Sequence, residues 1–168
     1  AISLGQMVPH ADVVVVTKTE QADPGPALEL ARRFAPGVPL FHARTEVLGL
    51  LDSEGRDVEP STLDAGATLA VAGIARPEAF RATLEGMGIR PAGLLGFRDH
   101  EPYGPAAVGG IERALEETGA TAVVATEKDA VKLEGRLDAP LLRVAIEARV
   151  VEPSFVPDLL SLLSRRPS

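Results

Sequence analysis

Three uninterrupted apolar runs restrict the fold of this chain more than any other feature. They are A-D-V-V-V-V-T-K from Ala11 to Lys18, A-T-L-A-V-A-G-I from Ala67 to Ile74, and T-A-V-V-A-T from Thr121 to Thr126. A strand with one face in water alternates apolar and polar residues, and these runs do not. They read as strands buried on both faces, the pattern of a parallel sheet covered by helices. Each is followed by a segment with helical spacing. Strands alternating with helices imply right-handed crossovers and a mostly parallel sheet, an α/β fold built as a three-layer α/β/α sandwich.

The segments between these runs fill in the pattern. Pro24 and Pro26 open a helix through about Ala35, with Leu28, Leu30, Ala31 and Phe34 at its apolar positions. P-L-F-H-A-R, starting at Pro39, is a short extended piece. Between about residues 45 and 62, V-L-G-L-L and D-V-E flank the turn D-S-E-G-R, which predicts a small β-hairpin excursion. Pro77 starts a helix with Phe80, Leu84 and Met87 on one face, stopping near Gly88. P-A-G-L-L-G-F is a strand that ends at Asp99-His100. A helix from about Pro105 to Thr118 follows, weakened by Gly109-Gly110. E-K-D-A-V-K-L turns directly into a short helix, Leu141 to Ile146 is the last strand, and F-V-P-D-L-L-S-L-L-S-R-R closes the chain as a helix. No repeat or low-complexity linker interrupts this order, so residues 1–168 are expected to form a single α/β domain.

Composition narrows the functional classes. Aromatic residues make up 4% of the chain, so the core has to be aliphatic. Seventeen basic against 24 acidic residues leave a net charge of −7, with no Lys/Arg cluster to offset it. Such a surface repels phosphate backbones, and nucleic acid is not an expected partner. The absence of cysteine excludes disulfides, thiolate zinc sites and thiol nucleophiles. No apolar run approaches the roughly 20 residues needed to cross a bilayer. The chain opens Ala-Ile-Ser rather than on Met, which suggests a piece of a longer protein.

Ligands of parallel sheets bind beyond the carboxyl ends of the strands. Four segments bring polar groups there: Thr17-Lys18, Gly73 to Arg76, Asp99-His100, and Thr126 to Asp129. His100 can donate to a phosphate oxygen while Asp99 fixes its tautomer or holds a cation. The plainer reading has Asp99 capping the next helix and His100 half exposed. In T-E-K-D-A-V-K, Thr126 suits a helix cap, and Glu127 and Asp129 suit the positive end of the helix dipole. Lys128 fits that position less well, and beside a nucleotide it would offset phosphate charge. V-V-V-T-K-T-E is a partial match to a guanine-reading N/T-K-x-D strand, with Glu20 in place of Asp. Y-G-P-A-A-V-G-G lacks the Lys-Ser/Thr of a phosphate loop. His10 and His42 are isolated, and the three histidines suggest no metal cage. Leu159, Leu160, Leu162 and Leu163, followed by Arg165-Arg166, describe a one-sided helix that packs on its own domain or rests on anionic lipid.

Several of these segments occur together in one family. A-D-V-V-V-V-T-K, G-I-A-R-P-E-A-F-R-A-T-L-E-G-M-G, F-R-D-H-E-P-Y and A-T-E-K-D-A-V-K-L resemble, in this order, the C-terminal half of tetraacyldisaccharide 4'-kinase. The likeness runs from about Ala11 to Leu163. Ala79 stands where the family usually has Arg, and Glu101 where it often has a second His, which leaves Asp99 and His100 intact.

The resemblance implies a P-loop-NTPase-related lobe of a two-lobed lipid kinase. That enzyme moves the γ-phosphoryl of ATP to the 4'-hydroxyl of a tetraacyldisaccharide 1-phosphate, giving lipid IVA in lipid A biosynthesis. ATP and magnesium would be held mainly by an N-terminal lobe that carries the phosphate loop, and this chain alone is expected to be inactive. His100 would touch the nucleotide phosphates, Asp99 would orient it, and Lys128 would add charge, with Glu127, Asp129, Thr17 and Lys18 nearby. The acylated substrate implies a cytoplasmic enzyme, peripheral on the inner face of the inner membrane. Two rival readings stand beside it. One is a metal-dependent phosphoesterase with Asp99 and His100 as ligands, and the other is a non-catalytic nucleotide- or protein-binding module.

Overall fold

A computed structural model describes residues 11–20 and 23–164. Six strands occur among them: β1 (Val14–Val16), β2 (Leu40–Leu51), β3 (Thr68–Ala72), β4 (Gly93–Gly96), β5 (Ala122–Thr126) and β6 (Leu141–Val150). Five α-helices and a 3-10 turn (Pro60–Thr62) accompany them: α1 (Gly25–Phe34), α2 (Pro77–Gly86), α3 (Pro105–Thr118), α4 (Glu127–Leu133) and α5 (Phe155–Ser164). Strand neighbours follow the order β1-β2-β6-β5-β3-β4. The pairs β1/β2, β3/β4, β3/β5 and β5/β6 are parallel, as continuous apolar strands joined by helices require.

The chain divides into two compact units where the sequence suggests one domain: Ala1–Glu46 with Glu147–Ser168, and Val47–Ile146. Both passages between them lie inside strands, after Glu46 in β2 and after Ile146 in β6. Alternating elements show no seam when the chain changes unit without a loop. The hairpin excursion is correspondingly narrower than expected, because β2 continues to Leu51. Beyond it, Asp52 Oδ1 accepts the backbone N–H groups of Glu54 and Arg56, closing a turn. Leu51 and Asp57 then form an isolated antiparallel bridge.

The second unit carries the three-layer packing. Its strands alternate side chains between two faces, so odd and even residues feed different cores. Leu69, Val71, Val123 and Ala125 pack with Ile111 and Leu115 of α3 and Ala130 and Leu133 of α4. Ala70, Ala72, Val124, Leu142 and Val144 pack with Phe80 and Leu84 of α2. β3 is buried at all five positions and β5 at four of its five, as the unbroken apolar runs require.

In the first unit, β1 keeps only three of the eight residues expected, and it is not buried on both faces. Val14 and Val16 are half-buried and Val15 is exposed, because β1 ends the strand order and pairs with β2 alone. The Phe41 and Phe155 rings meet edge to face, 5.0 Å apart. Glu152 accepts the His42 backbone N–H at 3.1 Å and pairs with its Nδ1 at 2.5 Å. His42 is thus a structural partner rather than an isolated surface group. No residue of α5 is buried, so its packing is looser than a one-sided helix on its own core would give; Arg165 and Arg166 lie outside the described residues, as does His10.

Candidate functional site

Three strand ends of the second unit meet as the parallel topology demands. Lys128, in the first turn of α4, donates from Nζ to the Gly73 carbonyl at 3.1 Å and to the Asp99 carboxylate. Asp99 Oδ1 also accepts the backbone N–H of His100 at 3.1 Å, and its Oδ2 lies 3.8 Å from His100 Nε2. Side-chain exposure rises outward, from 41% for Lys128 through 55% for Asp99 to 83% for His100. The lysine is the anchored member and the imidazole the presented one. An ammonium has three N–H donors, and two of Lys128's are taken by the protein, leaving one for an arriving anion.

Beneath this pair lies a buried clamp. Asp129 is fully buried, and its Oδ2 accepts the Gly73 N–H at 2.7 Å and the Thr126 hydroxyl at 2.6 Å. Thr126 Oγ1 in turn accepts the Asp129 N–H and caps α4, as its position predicts. The carboxylate ties the end of β3 to the turn between β5 and α4. It faces inward, so Asp129 builds the site without being open to a ligand. Tyr103 is also fully buried; its ring packs edge-on against Phe97 at 5.0 Å, and its hydroxyl approaches Gly73.

The loop over this clamp is conformationally costly. His100 and Tyr103 have φ of 63° and 52°, in the left-handed region that non-glycine residues seldom adopt. Such strain persists only where surrounding contacts over-determine it, and it concentrates at functional positions. The contacts come from α4 and the turn that follows it. Lys132 of α4 donates to the Glu101 carbonyl at 2.8 Å, and Arg136 in the next turn donates to the carbonyls of Tyr103 at 2.9 Å and Pro102 at 3.3 Å. Asp99 does not cap the following helix, whose N-cap is Gly104 without a side-chain bond.

Electrostatics follow the geometry. The Lys128 ammonium, hydrogen-bonded to Asp99, holds that carboxyl below the usual aspartate range against the opposing effect of burial. Burial pushes the Tyr103 phenol upward, and the neighbouring Asp129 carboxylate adds to the shift.

The remaining predicted residues lie elsewhere. Glu127 is exposed in the first turn of α4, beside the positive end of the helix dipole. Thr17 and Lys18 follow β1 in the first unit and are exposed, with Lys18 at φ 61°. Glu20, the fourth residue of the partial base-reading pattern, accepts the Thr45 N–H at 2.9 Å and fastens local backbone. Among the described residues, no group of three or more His, Cys, Asp or Glu is placed to hold a metal ion. Asp99 is committed to Lys128 rather than to a metal, which weakens the phosphoesterase reading. No sequence motif marks Tyr103, Lys132 or Arg136, although the four-residue spacing of Lys128, Lys132 and Arg136 is visible in the sequence.

Comparison with known proteins agrees with the motifs. The family model described as tetraacyldisaccharide-1-P 4'-kinase matches residues 5–164. The tetraacyldisaccharide 4'-kinase of Anaeromyxobacter sp. is 36% identical over 152 residues, covering 84% of this chain and 39% of that protein. That of Chlorobaculum tepidum is 31% identical over 160 residues, 94% of this chain and 44% of the relative. That of Syntrophus aciditrophicus is 35% identical over 115 residues, 67% and 31% respectively. The chain therefore spans less than half the length of these relatives. Among solved structures, the "apo" form of LpxK from Aquifex aeolicus in complex with ATP aligns with a TM-score of 0.53 at 21% identity. It covers 93% of this chain and 53% of that one, a likeness of fold. With its motifs, its parallel sheet and this match over nearly its whole length, the chain belongs to the tetraacyldisaccharide 4'-kinase family.

Proposed function

We propose that this chain supplies part of the nucleotide site of a lipid kinase. The full-length protein transfers the γ-phosphoryl of ATP to the 4'-hydroxyl of a tetraacyldisaccharide 1-phosphate. One observation carries the reading: an exposed imidazole on a strained loop, backed by Asp99 and a lysine with a donor to spare, at the strand ends where such sheets bind ligands. Phosphoryl transfer needs positioning and charge neutralisation more than covalent help from the protein, and these residues suit that task. His100 donates to a phosphate oxygen. Asp99 orients the ring and, when the imidazole is protonated, stabilises its charge. Lys128 holds Asp99 and directs its third N–H toward the phosphates.

ATP with magnesium supplies the transferable group and its charge screen, and both are held mainly by the remainder of the full-length protein, as the phosphate loop is. An acylated acceptor places the enzyme on the cytoplasmic face of the inner membrane as a peripheral protein. Among the described residues, no helix is long and apolar enough to cross a membrane.

The test is a radiolabel transfer assay with the full-length protein, ATP and the disaccharide acceptor. Removing one positioned donor from such a site costs about 100- to 1,000-fold in kcat, and His100→Ala is expected to fall in that range while the protein stays folded. Wild-type protein that leaves the acceptor unlabelled, or a His100→Ala variant with unaltered kcat and KM for ATP, would overturn the reading.

A further inference from the structure

His100 stands between two fastened points. On one side Asp99 is gripped by Lys128; on the other, the carbonyls of Glu101, Pro102 and Tyr103 are taken by Lys132 and Arg136. Among the described residues the imidazole itself makes only the 3.8 Å approach to Asp99, and it is left largely in solvent. Lys128 and Lys132 are one helical turn apart, so both face the same side of α4. The Lys132 ammonium also lies 5.9 Å from the centre of the Tyr103 ring, whose burial pins the far end of the loop.

Most of these grips fall on backbone carbonyls. They fix the path of the chain whichever side chains the loop carries. A loop with two residues at positive φ would relax if its carbonyls were released.

We propose that Lys132 and Arg136, acting with Lys128, are positioning residues: they clamp the loop from Asp99 to Tyr103 so that its strained backbone presents His100 to the nucleotide phosphates. The proposal rests on the reading of His100 given above. Lys132 and Arg136 touch no substrate; they act through the loop.

The full-length protein carrying Lys132→Met or Arg136→Met tests this, with Lys132→Arg and His100→Ala measured alongside. Methionine keeps much of the apolar stem and removes the donors. Amide hydrogen exchange at residues 100–103 is expected to quicken about 10-fold or more in both Met variants, with the strands β3 and β5 unchanged. A displacement near 1 Å can cost about 100-fold in rate, so kcat is expected to drop by about 10- to 100-fold. KM for ATP should change far less, because the nucleotide is gripped mainly elsewhere. Lys132→Arg restores most of the rate, since a cationic donor again reaches the Glu101 carbonyl.

Unchanged exchange at residues 100–103 in both Met variants would overturn the clamp. So would a loss of kcat accompanied by faster exchange throughout the second unit and no rescue by arginine, the pattern of simple destabilisation. If His100→Ala proves fully active, the nucleotide reading fails instead, and the exchange rates alone still decide whether the clamp exists.

Discussion

Gly73 has no room for a side chain. A Cβ there would sit 2.7 Å from Asp129 Oδ1, 3.0 Å from the Tyr103 hydroxyl and 3.2 Å from the Arg98 carbonyl. All three neighbours are fixed, two in buried side chains and one in backbone. Gly73→Ala should therefore destabilise by about 1–3 kcal/mol, read as a lower denaturation midpoint with an unchanged slope. Tyr103 offers a second test, because it is the one tyrosine of a chain without tryptophan. Its phenol is raised in the folded state, so the folded protein holds that proton more tightly than the unfolded chain. The resulting stability is complete below the ordinary tyrosine value of about 10 and is lost as pH rises through the folded value. Ultraviolet absorbance should show phenolate only well above the ordinary range, and at the ordinary range in denaturant. Asp99 behaves oppositely. Its depressed carboxyl contributes above about pH 3.9, the usual aspartate value, and that contribution disappears as acid carries the folded group through its lower value. Asp99, His100 and Lys128 could be picked out in the sequence because an acid, an imidazole and a base stand where strands end. Lys132 and Arg136 could not, since they hold backbone carbonyls, and no side-chain pattern on the loop reports them. Asp129 was visible as a carboxylate but not as a buried one, because burial depends on β3 arriving beside it.

Elements followed the sequence closely where period and punctuation agreed. α3 begins at Pro105 and ends at Thr118 with Gly119 in the left-handed conformation, as expected from the proline and glycine that flank it. The doublet Gly109-Gly110 weakens that helix without any steric need, since a Cβ at either position meets nothing within 4 Å. Gly110→Ala should stabilise by about 0.5–1 kcal/mol, visible as a rise of a few degrees in Tm; a decrease would show that the glycine is needed for packing. β2 was the element least legible. Its twelve residues include exposed Val47 and Leu48 beside buried Leu50, and a mixed pattern of this kind breaks the period on which strand recognition depends. β1 failed for another reason: four valines promise two buried faces, but only tertiary structure decides how many neighbours a strand acquires.

At the scale of the molecule, order of elements was readable and grouping was not. The parallel sheet and layered packing follow from strands alternating with helices, while the division into two units depends on contacts between residues 100 or more positions apart, such as His42 with Glu152. Both core clusters of the second unit draw their members from within Val47–Ile146. Ending the chain after Ile146 should thus leave amide protection in β3 and β5 intact while removing it from β2 residues 40–46, which lose Glu152 and the close of β6. Uniform loss of protection would show instead that the units fold only together.

One unit is assembled from two separate stretches, with the other unit inserted between them. A ribosome delivers residues in one direction, so the stretch before Val47 must wait, unfinished, until about a hundred later residues and then α5 have emerged. The insert can complete its own core during that interval. The segment from Val47 to Ile146 should therefore order before β1 does, and that valine strand is the surface most in need of shelter in the meantime.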